Sequence, residues 1–552
     1  MTPLPWRMRR ALLPGSRPWA ALARTWDLSP EAARLAWLRE ADDEELGWRL
    51  DPSWDRSTDP FLLPGVPGAV ERIRRACAQG ESICVYGDYD VDGVTATALL
   101  MRVLEKLGAR ASFFIPNRFN DGYGLNLECI REVMAQRGPS LLVSVDCGVR
   151  SVDEVRATKE LGADWIITDH HALGPALPEC PVVHPGLDGY ANPSLAGVGV
   201  AFKLAQALLD AAPTPRGADG PFLDGLLKLV ALGTVADMVP LRGENALLVK
   251  RGLLAMAGAN GPGLSALLRA SKVDGAVRGK DIGYQIGPRL NAVGRMGGAE
   301  DAVRLLLARD AASAAGLMER VEALNLERRE IQRALGDQLP PPGDDPFDLV
   351  VEPTAHKGVI GIVAGHRMRA TQRPSAVCTV LDGVAHCSVR APETYDLRPL
   401  LELAGPYLTT GGGHRYAAGM TFPLRNLAFV KATLNKGAQE QSVDAPDAAL
   451  VVDGAGTRLA PPRAELERLE PFGQGFPEPV LLVEGRLAGQ PRTFGAGYRK
   501  FRMEGESEEF TLFADEPRSL EGSLCLAVAP QDHPRWGRSW RVDGPVDPRE
   551  AP

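Results

Sequence analysis

The sequence predicts an α/β protein of several domains: a parallel-sheet domain first, then a long helix, a further domain, and a small β-barrel at the end. Three observations carry this. Before residue 340, short β-branched or apolar runs alternate with helical patterns, as in a parallel sheet wrapped by helices. Leu317, Val321, Leu324, Ile331 and Leu335 then form one apolar stripe at 4-3-7-4 spacing, which predicts a long helix bridging two domains. Beyond residue 450 the chain turns to short β-like runs separated by glycines. At roughly 100–200 residues per domain, a chain of 552 residues accommodates about three to four domains.

Taken in order, Ser82–Tyr86 (SICVY) reads as a strand and Thr95–Leu107 as the helix after it. Leu141–Val145 (LLVSV) and Trp165–Thr168 (WIIT) read as two more buried strands. Three seams follow from composition: Leu339–Pro346 (LPPPGDDP) and Gln441–Ala449 (QSVDAPDAA) as boundaries, and Pro213–Pro221 (PTPRGADGP) as a surface loop within the first domain. The opening MTPLPWRMRRALL is positively charged, but no apolar stretch of adequate length follows, so neither a secretory signal nor a membrane span is expected. Eight scattered cysteines without a C-x-x-C pair are expected to be reduced thiols of a cytoplasmic protein. A net charge of −8 argues against a uniformly basic coat but leaves room for a local basic channel.

The chemistry begins at Val85–Thr95 (VYGDYDVDGVT). Asp88, Asp90 and Asp92 alternate just after an apolar strand. Alternating carboxylates beside a turn can converge on one hard cation. An EF-hand loop does not fit, because a strand precedes and no ligand-rich loop ending in glutamate follows. A merely solvated acidic turn would suffice if this segment stood alone. However, LLVSVDCG places Asp146 after a second strand, WIITDHH places Asp169, His170 and His171 after a third, and LVALGTVADMVPL places Asp237 after an apolar run. Ligands collect beyond the carboxyl ends of parallel strands. Mixed carboxylate and imidazole ligands suit Mn²⁺ better than Mg²⁺, and the lack of thiolates disfavours structural zinc. So many carboxylates call for about two divalent ions, and a two-metal site activates water and stabilises charge at a phosphoryl centre.

The segments DYDVDG, SVDCG, TDHH and GTVADMVPL together resemble the DHH phosphoesterase superfamily. PNRFNDGYGLN, LAGVGVAFKL, IGPRLNAVGRM, HKGVIGIVAG, GGGHRYAAG and PFGQGFPEP narrow the resemblance to the RecJ family of bacterial single-strand-specific 5′→3′ exonucleases. It runs from about residue 45 to beyond 480, with one departure: Phe476 stands where the family usually has asparagine. The fold it implies is a parallel-sheet DHH catalytic domain, joined by a long helix to a smaller α/β DHH-associated domain and followed by an OB-fold. Expected boundaries are 1–45 for an N-terminal extension, 46–300 for the catalytic domain, 301–338 for the helix, 339–440 for the DHH-associated domain and 441–552 for the OB-fold. The resemblance implies that Asp92, Asp146, His170 and Asp237 hold one Mn²⁺ or Mg²⁺, and that Asp90 and the bridging Asp146 hold a second with Asp88 close by. Asp169 would orient a histidine and His171 would face the scissile phosphate.

On the nucleic-acid side, the resemblance implies that Ser388 and Arg390 hold a DNA 5′ end. The glycines of Gly411, Gly412, Gly413 and His414 would let backbone N–H groups approach an anion as a phosphate nest does, with a plain glycine turn as the bland reading. Arg118 is a further phosphate candidate. Arg289, Asn291 and Arg295 either line the strand's path or hold a domain junction. In RTFGAGYRKFR, Phe494, Tyr498 and Phe501 interleave with Arg492, Arg499, Lys500 and Arg502, and PRWGRSWR adds Trp536 and Trp540. Basic residues track a backbone while rings stack on bases, although any single ring is more readily explained as barrel core.

The function expected is a single-strand-specific 5′→3′ exonuclease of DNA repair and recombination. Its partners would be single-stranded DNA, a single-strand-binding protein and a DNA helicase, with no membrane. One rival is a DHH-type phosphatase of oligonucleotides or cyclic dinucleotides, against which the barrel and long helix argue. Another is a non-catalytic DNA-binding scaffold, against which the intact acid and histidine set argues.

Overall fold

The computed structural model describes residues 6–9, 17–117, 124–187, 189–210, 220–273, 275–442, 450–494, 498–506, 508–513, 523–533 and 537–545. It divides into two compact units. The first comprises residues 1–294, 298–321 and 450–552, and the second residues 295–297 and 322–449.

The first unit is built on five strands: β1 (Ser82–Gly87), β2 (Arg110–Phe114), β3 (Leu141–Val145), β4 (Asp164–Thr168) and β5 (Val182–Val183). They are all parallel, in the order β2-β1-β3-β4-β5. The β1, β3 and β4 runs are nearly continuous in apolar residues because both faces are covered, and Ile83, Val85, Leu142, Val143 and Ile166 are fully buried. The order reverses between β1 and β3, so the crevice beyond their carboxyl ends is the topological switch point where α/β sheets bind ligands. Helix α1 (Val91–Lys106) follows β1, and α2 (Gly197–Asp210) and α3 (Gly220–Ala236) pack against it. α1 starts four residues before the expected Thr95. The Asp90 side chain caps it, accepting from the amides of Asp92 and Gly93 at 2.9 and 3.1 Å, so Asp92 lies in the first helical turn.

Helix α4 (Gly287–Arg295) continues from a turn of the wider π-helix at Ile282–Ile286. The long apolar stripe is indeed helical, as α5 (Ala311–Gln338), with Ala314, Met318, Val321 and Leu335 buried. Its residues to Val321 cluster with the first unit and the rest with the second.

The C-terminal strands of the first unit form a seven-stranded mixed sheet, the barrel-like OB fold, over a core of Val483, Phe501, Phe510, Leu526 and Trp540. The bland reading therefore holds for two of the candidate stacking rings: Phe501 and Trp540 are core, and the Trp540 indole N–H donates to Glu508 at 2.6 Å. Tyr498 remains on the surface. Trp536 and the Phe494 side chain lie outside what is described.

Residues before 45 are knitted into this part of the chain. Trp6–Met8 pairs in parallel with Leu450–Val452, and the helix Pro30–Leu38 packs on Arg463–Leu469. Three buried cations fasten the joint. Arg39 bonds both oxygens of Asp453 at 3.1 Å and the carbonyls of Pro477 and Glu478 at 2.6 and 2.9 Å. Arg49 bonds Glu45 at 2.7 Å, the carbonyls of Leu469 and Pro471 at 3.1 and 2.8 Å, and that of Leu241. Lys250 bonds the carbonyls of Glu467 and Arg468 at 2.6 and 3.0 Å. The departure at Phe476 belongs here: the buried ring lies 3.5 Å beneath the Arg49 guanidinium, a cation–π seat that asparagine could not supply.

The second unit has five strands: β6 (Asp348–Val351), β7 (Ser375–Leu381), β8 (Val384–Arg390), β9 (Thr410–Gly413) and β10 (Ala417–Pro423). Their order is β9-β10-β8-β7-β6, with only β6 and β7 parallel. β7 and β8 form a hairpin whose two turn residues, Asp382 and Gly383, both have positive φ, the hallmark of a type I′ turn. The expectation of reduced thiols fails for one pair. Cys378 and Cys387 face each other in register across this hairpin and form a disulfide, while the other six cysteines are free. Their scattered positions carried no sign that a two-residue turn would bring these two opposite. No helix among the described residues is long and apolar enough to cross a membrane.

Candidate metal centre

The acids expected at strand ends converge at the switch point. Asp88 follows β1, Asp146 follows β3, His170 and His171 follow β4, and Asp237 follows α3. Three sets offer ligand atoms within 4.8 Å of one another: Asp92 with His170 and Asp237, Asp88 with Asp90 and Asp146, and Asp146 with His170 and His171. His170 is central. Its Nε2 lies 3.2 Å from Asp146 Oδ1, 3.6 Å from Asp237 Oδ2 and 3.9 Å from Asp92 Oδ2.

Local structure fixes each group. The Asp92 carboxylate accepts from the amides of Gly197 and Val198 at 2.7 and 2.9 Å, at the N-terminus of α2. Asp146 has φ 64, a left-handed conformation that costs a non-glycine residue free energy and is maintained here at the centre of the cluster. Close approach dictates two glycines. A Cβ on Gly197 would lie 2.4 Å from Asp146 Oδ1, and one on Gly233 would lie 2.6 Å from Asp92 Oδ1.

Asp169 lies outside these sets. It accepts from the amides of Val149, His170 and His171 at 2.9, 2.7 and 3.1 Å, and its Oδ1 lies 2.8 Å from His171 Nδ1. His184, which the sequence reading missed, is buried behind this pair. Its Nδ1 accepts from the Gly186 amide at 2.9 Å, so its Nε2 carries the proton and donates to the His171 carbonyl at 2.8 Å. Only the short VVHPG run after the apolar pair of β5 could have hinted at it.

The electrostatics are unbalanced. Burial, and then the charge of Asp90, push the Asp92 carboxyl up to about 7. Burial followed by Asp92 and Asp90 push Asp237 up to about 9, and Asp146 rises well above the carboxylate range for the same reasons. Burial and then His171 push His170 down to about 4. In the Asp169–His171 pair, burial is the largest influence and opposes both charges, but the mutual hydrogen bond, the mutual attraction and the neighbouring amides and carboxylates together outweigh it, holding Asp169 at about 2 and His171 at about 9. Asp146 Oδ1 and His170 Nε2 are buried without a hydrogen-bond partner. Buried polar atoms are normally satisfied, and carboxylates this close repel strongly unless a cation intervenes. An all-oxygen and imidazole donor set without thiolate fits Mn²⁺ or Mg²⁺.

In the second unit, Ser388 and Arg390 lie on β8. Arg390 Nη1 donates to Ser388 Oγ at 3.1 Å and to the Val389 carbonyl at 2.7 Å. Both residues back onto Gly361 at the start of the helix Ile360–Thr371, where a Cβ would lie 2.7 Å from Ser388 Oγ and 3.1 Å from an Arg390 nitrogen. The glycine run is not a nest. Gly411–Gly413 is the exposed edge strand β9, paired to β10 at Gly411↔Met420 and Gly412↔Gly419, and the His414 amide donates to Ala417 at 2.8 Å. Strand pairing keeps the first two glycines extended instead of in the alternating αR and αL conformations of a nest. Arg289 Nη1 donates to the Gln285 carbonyl at 2.7 Å, Asn291 is half-buried on α4, and Arg295 Nη1 donates to the Gly358 carbonyl at 3.3 Å. Arg118 lies outside the described residues.

Comparison with known proteins agrees with this architecture. Residues 82–234 match the DHH family N-terminal domain, 347–440 the DHHA1 domain, and 462–515 the RecJ OB domain. The chain is 38% identical over 470 residues to the single-stranded-DNA-specific exonuclease RecJ of Bacillus subtilis, covering 82% of this chain and 58% of that relative. It is 35% identical over 503 residues to the enzyme of the same name from Thermus thermophilus, covering 90% of this chain and 72% of that one. The crystal structure of RecJ in complex with Mn²⁺ from Thermus thermophilus superimposes with a TM-score of 0.83 at 30% identity, covering 99% of this chain and 80% of that chain. With a metal-fitting cluster at the switch point and all three domain models in order, the chain belongs to the RecJ family of the DHH superfamily.

Proposed function

We propose that this protein is a divalent-cation-dependent exonuclease that hydrolyses the backbone of single-stranded DNA from the 5′ end. The observation that carries the reading is the buried cluster of Asp88, Asp90, Asp92, Asp146, Asp237 and His170, with Asp146 Oδ1 and His170 Nε2 unsatisfied at its centre. Relatives named for single-strand-specific exonuclease activity, and a relative's structure holding Mn²⁺, support it. Asp92, Asp146, His170 and Asp237 hold one cation, and Asp88, Asp90 and Asp146 the other. The chemistry that bound Mn²⁺ or Mg²⁺ supplies there is acidification of water and neutralisation of charge building on the phosphoryl group. Asp169 holds His171 by its Nδ1, which leaves the other ring nitrogen to donate to a phosphate oxygen. His184 fixes the backbone of the same residue.

Ser388 and Arg390, with the start of the helix Ile360–Thr371, bind the 5′-terminal phosphate. Arg118, Arg289, Asn291, Arg295 and Gly411–His414 contact the strand's backbone further along, and the OB fold binds its distal part. The work suited to such an enzyme is DNA repair and recombination, with a DNA helicase and a single-strand-binding protein supplying and presenting the strand. The test is to incubate strands labelled at one end, single and duplex, with Mn²⁺ and with a chelator. Mononucleotides released from the 5′ end of the single strand, only with the metal, are expected. Internal cuts, duplex degradation or metal-independent cleavage would refute the reading.

A further inference from the structure

In the second unit, the helix Ile360–Thr371 turns a glycine face toward β8. Gly361 and Gly365 stand one turn apart on it, and Arg369 follows one turn later. Ser388 and Arg390 lie over Gly361, where a Cβ would meet Ser388 Oγ at 2.7 Å. A Cβ on Gly365 would lie 3.8 Å from Arg369 Nη1 and 3.9 Å from Arg390 Cγ. The Arg369 guanidinium therefore reaches back toward the start of the helix, the direction that long helical side chains take. It shares with Arg390 a groove floored by the two glycines.

Two further cations stand by this groove. His366 follows Gly365, and Arg328 lies on α5, which packs Ile331 and Leu335 on Ile360, Val363 and Ala364. Arg328 donates from Nη1 and Nη2 to the neutral amides of Gln332 and Asn325 at 3.0 and 2.6 Å, and its Nε is buried without a partner. Burial and then the charges of Arg369 and Arg328 lower His366, while burial and then Arg329 lower Arg328. Among the described residues, only cations act on either. Arg367, on the buried face of the same helix, is instead neutralised by both oxygens of Asp348 at 2.7 and 2.8 Å. An uncompensated group of cations along a groove is complementary to an anion with more than one charge.

We propose that the groove from Ser388 and Arg390 to Arg369 takes a strand end bearing a 5′-triphosphate, with Arg369 on the phosphates beyond the first. This inference rests on the assignment of Ser388 and Arg390 to the terminal phosphate. One phosphate at the start of the helix is served by those two residues, and phosphates attached to it continue along the groove toward Arg369. Hydrolysis is the same in kind. The oxygen of water bonds to the phosphorus between the first two nucleotides, and the bond from that phosphorus to O3′ breaks. O3′ takes one proton, and the other is released as the new terminal phosphate ionises. The first product is a nucleoside 5′-triphosphate, and the shortened strand begins with a single phosphate. A strand begun de novo from a nucleoside triphosphate thus enters without prior removal of its outer phosphates.

The test uses three oligodeoxynucleotides of one sequence, with a 5′-hydroxyl, a 5′-phosphate and a 5′-triphosphate, each carrying a dye at the 3′ end. Binding to the full chain is titrated by anisotropy in chelator, so that neither turnover nor metal held by the triphosphate intervenes. The wild type should bind the triphosphate end about tenfold more tightly than the monophosphate end, as one added charge-assisted bond implies. Arg369→Ala, checked for an unchanged unfolding temperature, should lose that gain and leave the other two affinities as they are. Arg369→Lys should keep part of the gain, and His366→Ala should reduce it less than Arg369→Ala does. In Mn²⁺ the first nucleotide freed from the triphosphate strand should be a nucleoside triphosphate. Equal wild-type binding of mono- and triphosphate ends, or equal losses on all three ends in Arg369→Ala, would overturn the groove, while cleavage of the monophosphate strand leaves the proposed function standing. Equal wild-type binding of hydroxyl and monophosphate ends would remove the terminal-phosphate assignment and the groove with it.

Discussion

Two clusters of buried charge lie in the first unit, and the fold treats them in opposite ways. At the switch point, five aspartates and two histidines crowd together, and two of their atoms are left without partners. At the joint between the N-terminal helices and the OB fold, Arg39, Arg49 and Lys250 are equally buried, but their donors are directed to carbonyl oxygens, Asp453 and Glu45. Burial lowers all three, Lys250 to about 8 and the two arginines to about 10, so the enclosure is costly there as well. The difference separates architecture from chemistry. A buried charge group that the chain itself neutralises holds parts together, whereas one that the chain leaves unbalanced is complementary to something that must arrive.

That contrast can be broken by substitution. Asp146→Ala should abolish cleavage, because this one carboxylate serves both ligand sets, yet it should leave the unfolding temperature of the metal-free protein unchanged or higher by removing repulsion. Nuclease assays beside thermal melts in chelator decide this, and near-normal activity would rule out the shared-ligand assignment. Arg49→Ala should do the reverse. It leaves Glu45 with only the Gly243 amide and deprives three carbonyls of their donor, so a loss of about 3–5 kcal/mol is expected in denaturant titrations, with Mn²⁺ binding retained in the folded fraction.

In the second unit, Arg390→Ala should reduce kcat/KM on 5′-phosphorylated strands about ten- to a hundredfold, as loss of a charge-assisted bond of about 1.5–3 kcal/mol implies, and reduce it less on 5′-hydroxyl strands. Equal losses would assign Arg390 to the general strand path.

Acidity should sharpen the contrast further. Asp92 at about 7 and Asp237 at about 9 lie above the ordinary 3.8, so the folded cluster binds more protons than the unfolded chain. Its contribution to stability should fall as pH rises through the window from about 4 to 9 in chelator, and saturating Mn²⁺ should offset the fall. Lys250 is shifted the other way, from 10.5 to about 8, so its burial penalty should be relieved as pH rises between those values. Melting temperatures of the wild type, Asp146→Ala and Lys250→Met across pH would show the two slopes. The smallest effect belongs to Met238→Gly, which should stabilise the fold by about 0.5–1 kcal/mol through relief of its left-handed backbone.

The catalytic half of this picture was legible in the sequence because its signals are local. An apolar run that ends in Asp146, or in Asp169, His170 and His171, announces both a strand and what stands at its tip. What stayed hidden depends on partners distant in the chain. Nothing near Gly197 or Gly233 says that Asp146 and Asp92 press against them. His184 acts only through a carbonyl thirteen residues earlier. The run at Gly411–Gly413 suggests a turn until its neighbour Ala417–Pro423 pairs with it and makes it a strand. Phe501 and Trp540 alternate with basic residues as stacking rings would, but which face of a strand turns inward is decided by the opposite side of the barrel. The segment before residue 45 reads as an extension because its counterparts lie more than 400 residues away.

That separation carries a consequence for how the molecule is made. Arg39 meets Asp453 across 414 residues, and Arg49 meets Leu469 across 420. At a ribosomal pace of about 5–20 residues per second, the helices Pro30–Leu38 and Asp43–Leu50 emerge roughly 20–90 seconds before the segment that covers them. Through that interval Ala32, Ala33, Leu35 and Ala36 lack the apolar surface of Leu466, Leu469 and Phe476 that later buries them. The parallel sheet can be complete long before the joint closes, so the beginning of the chain is among the last parts to be finished.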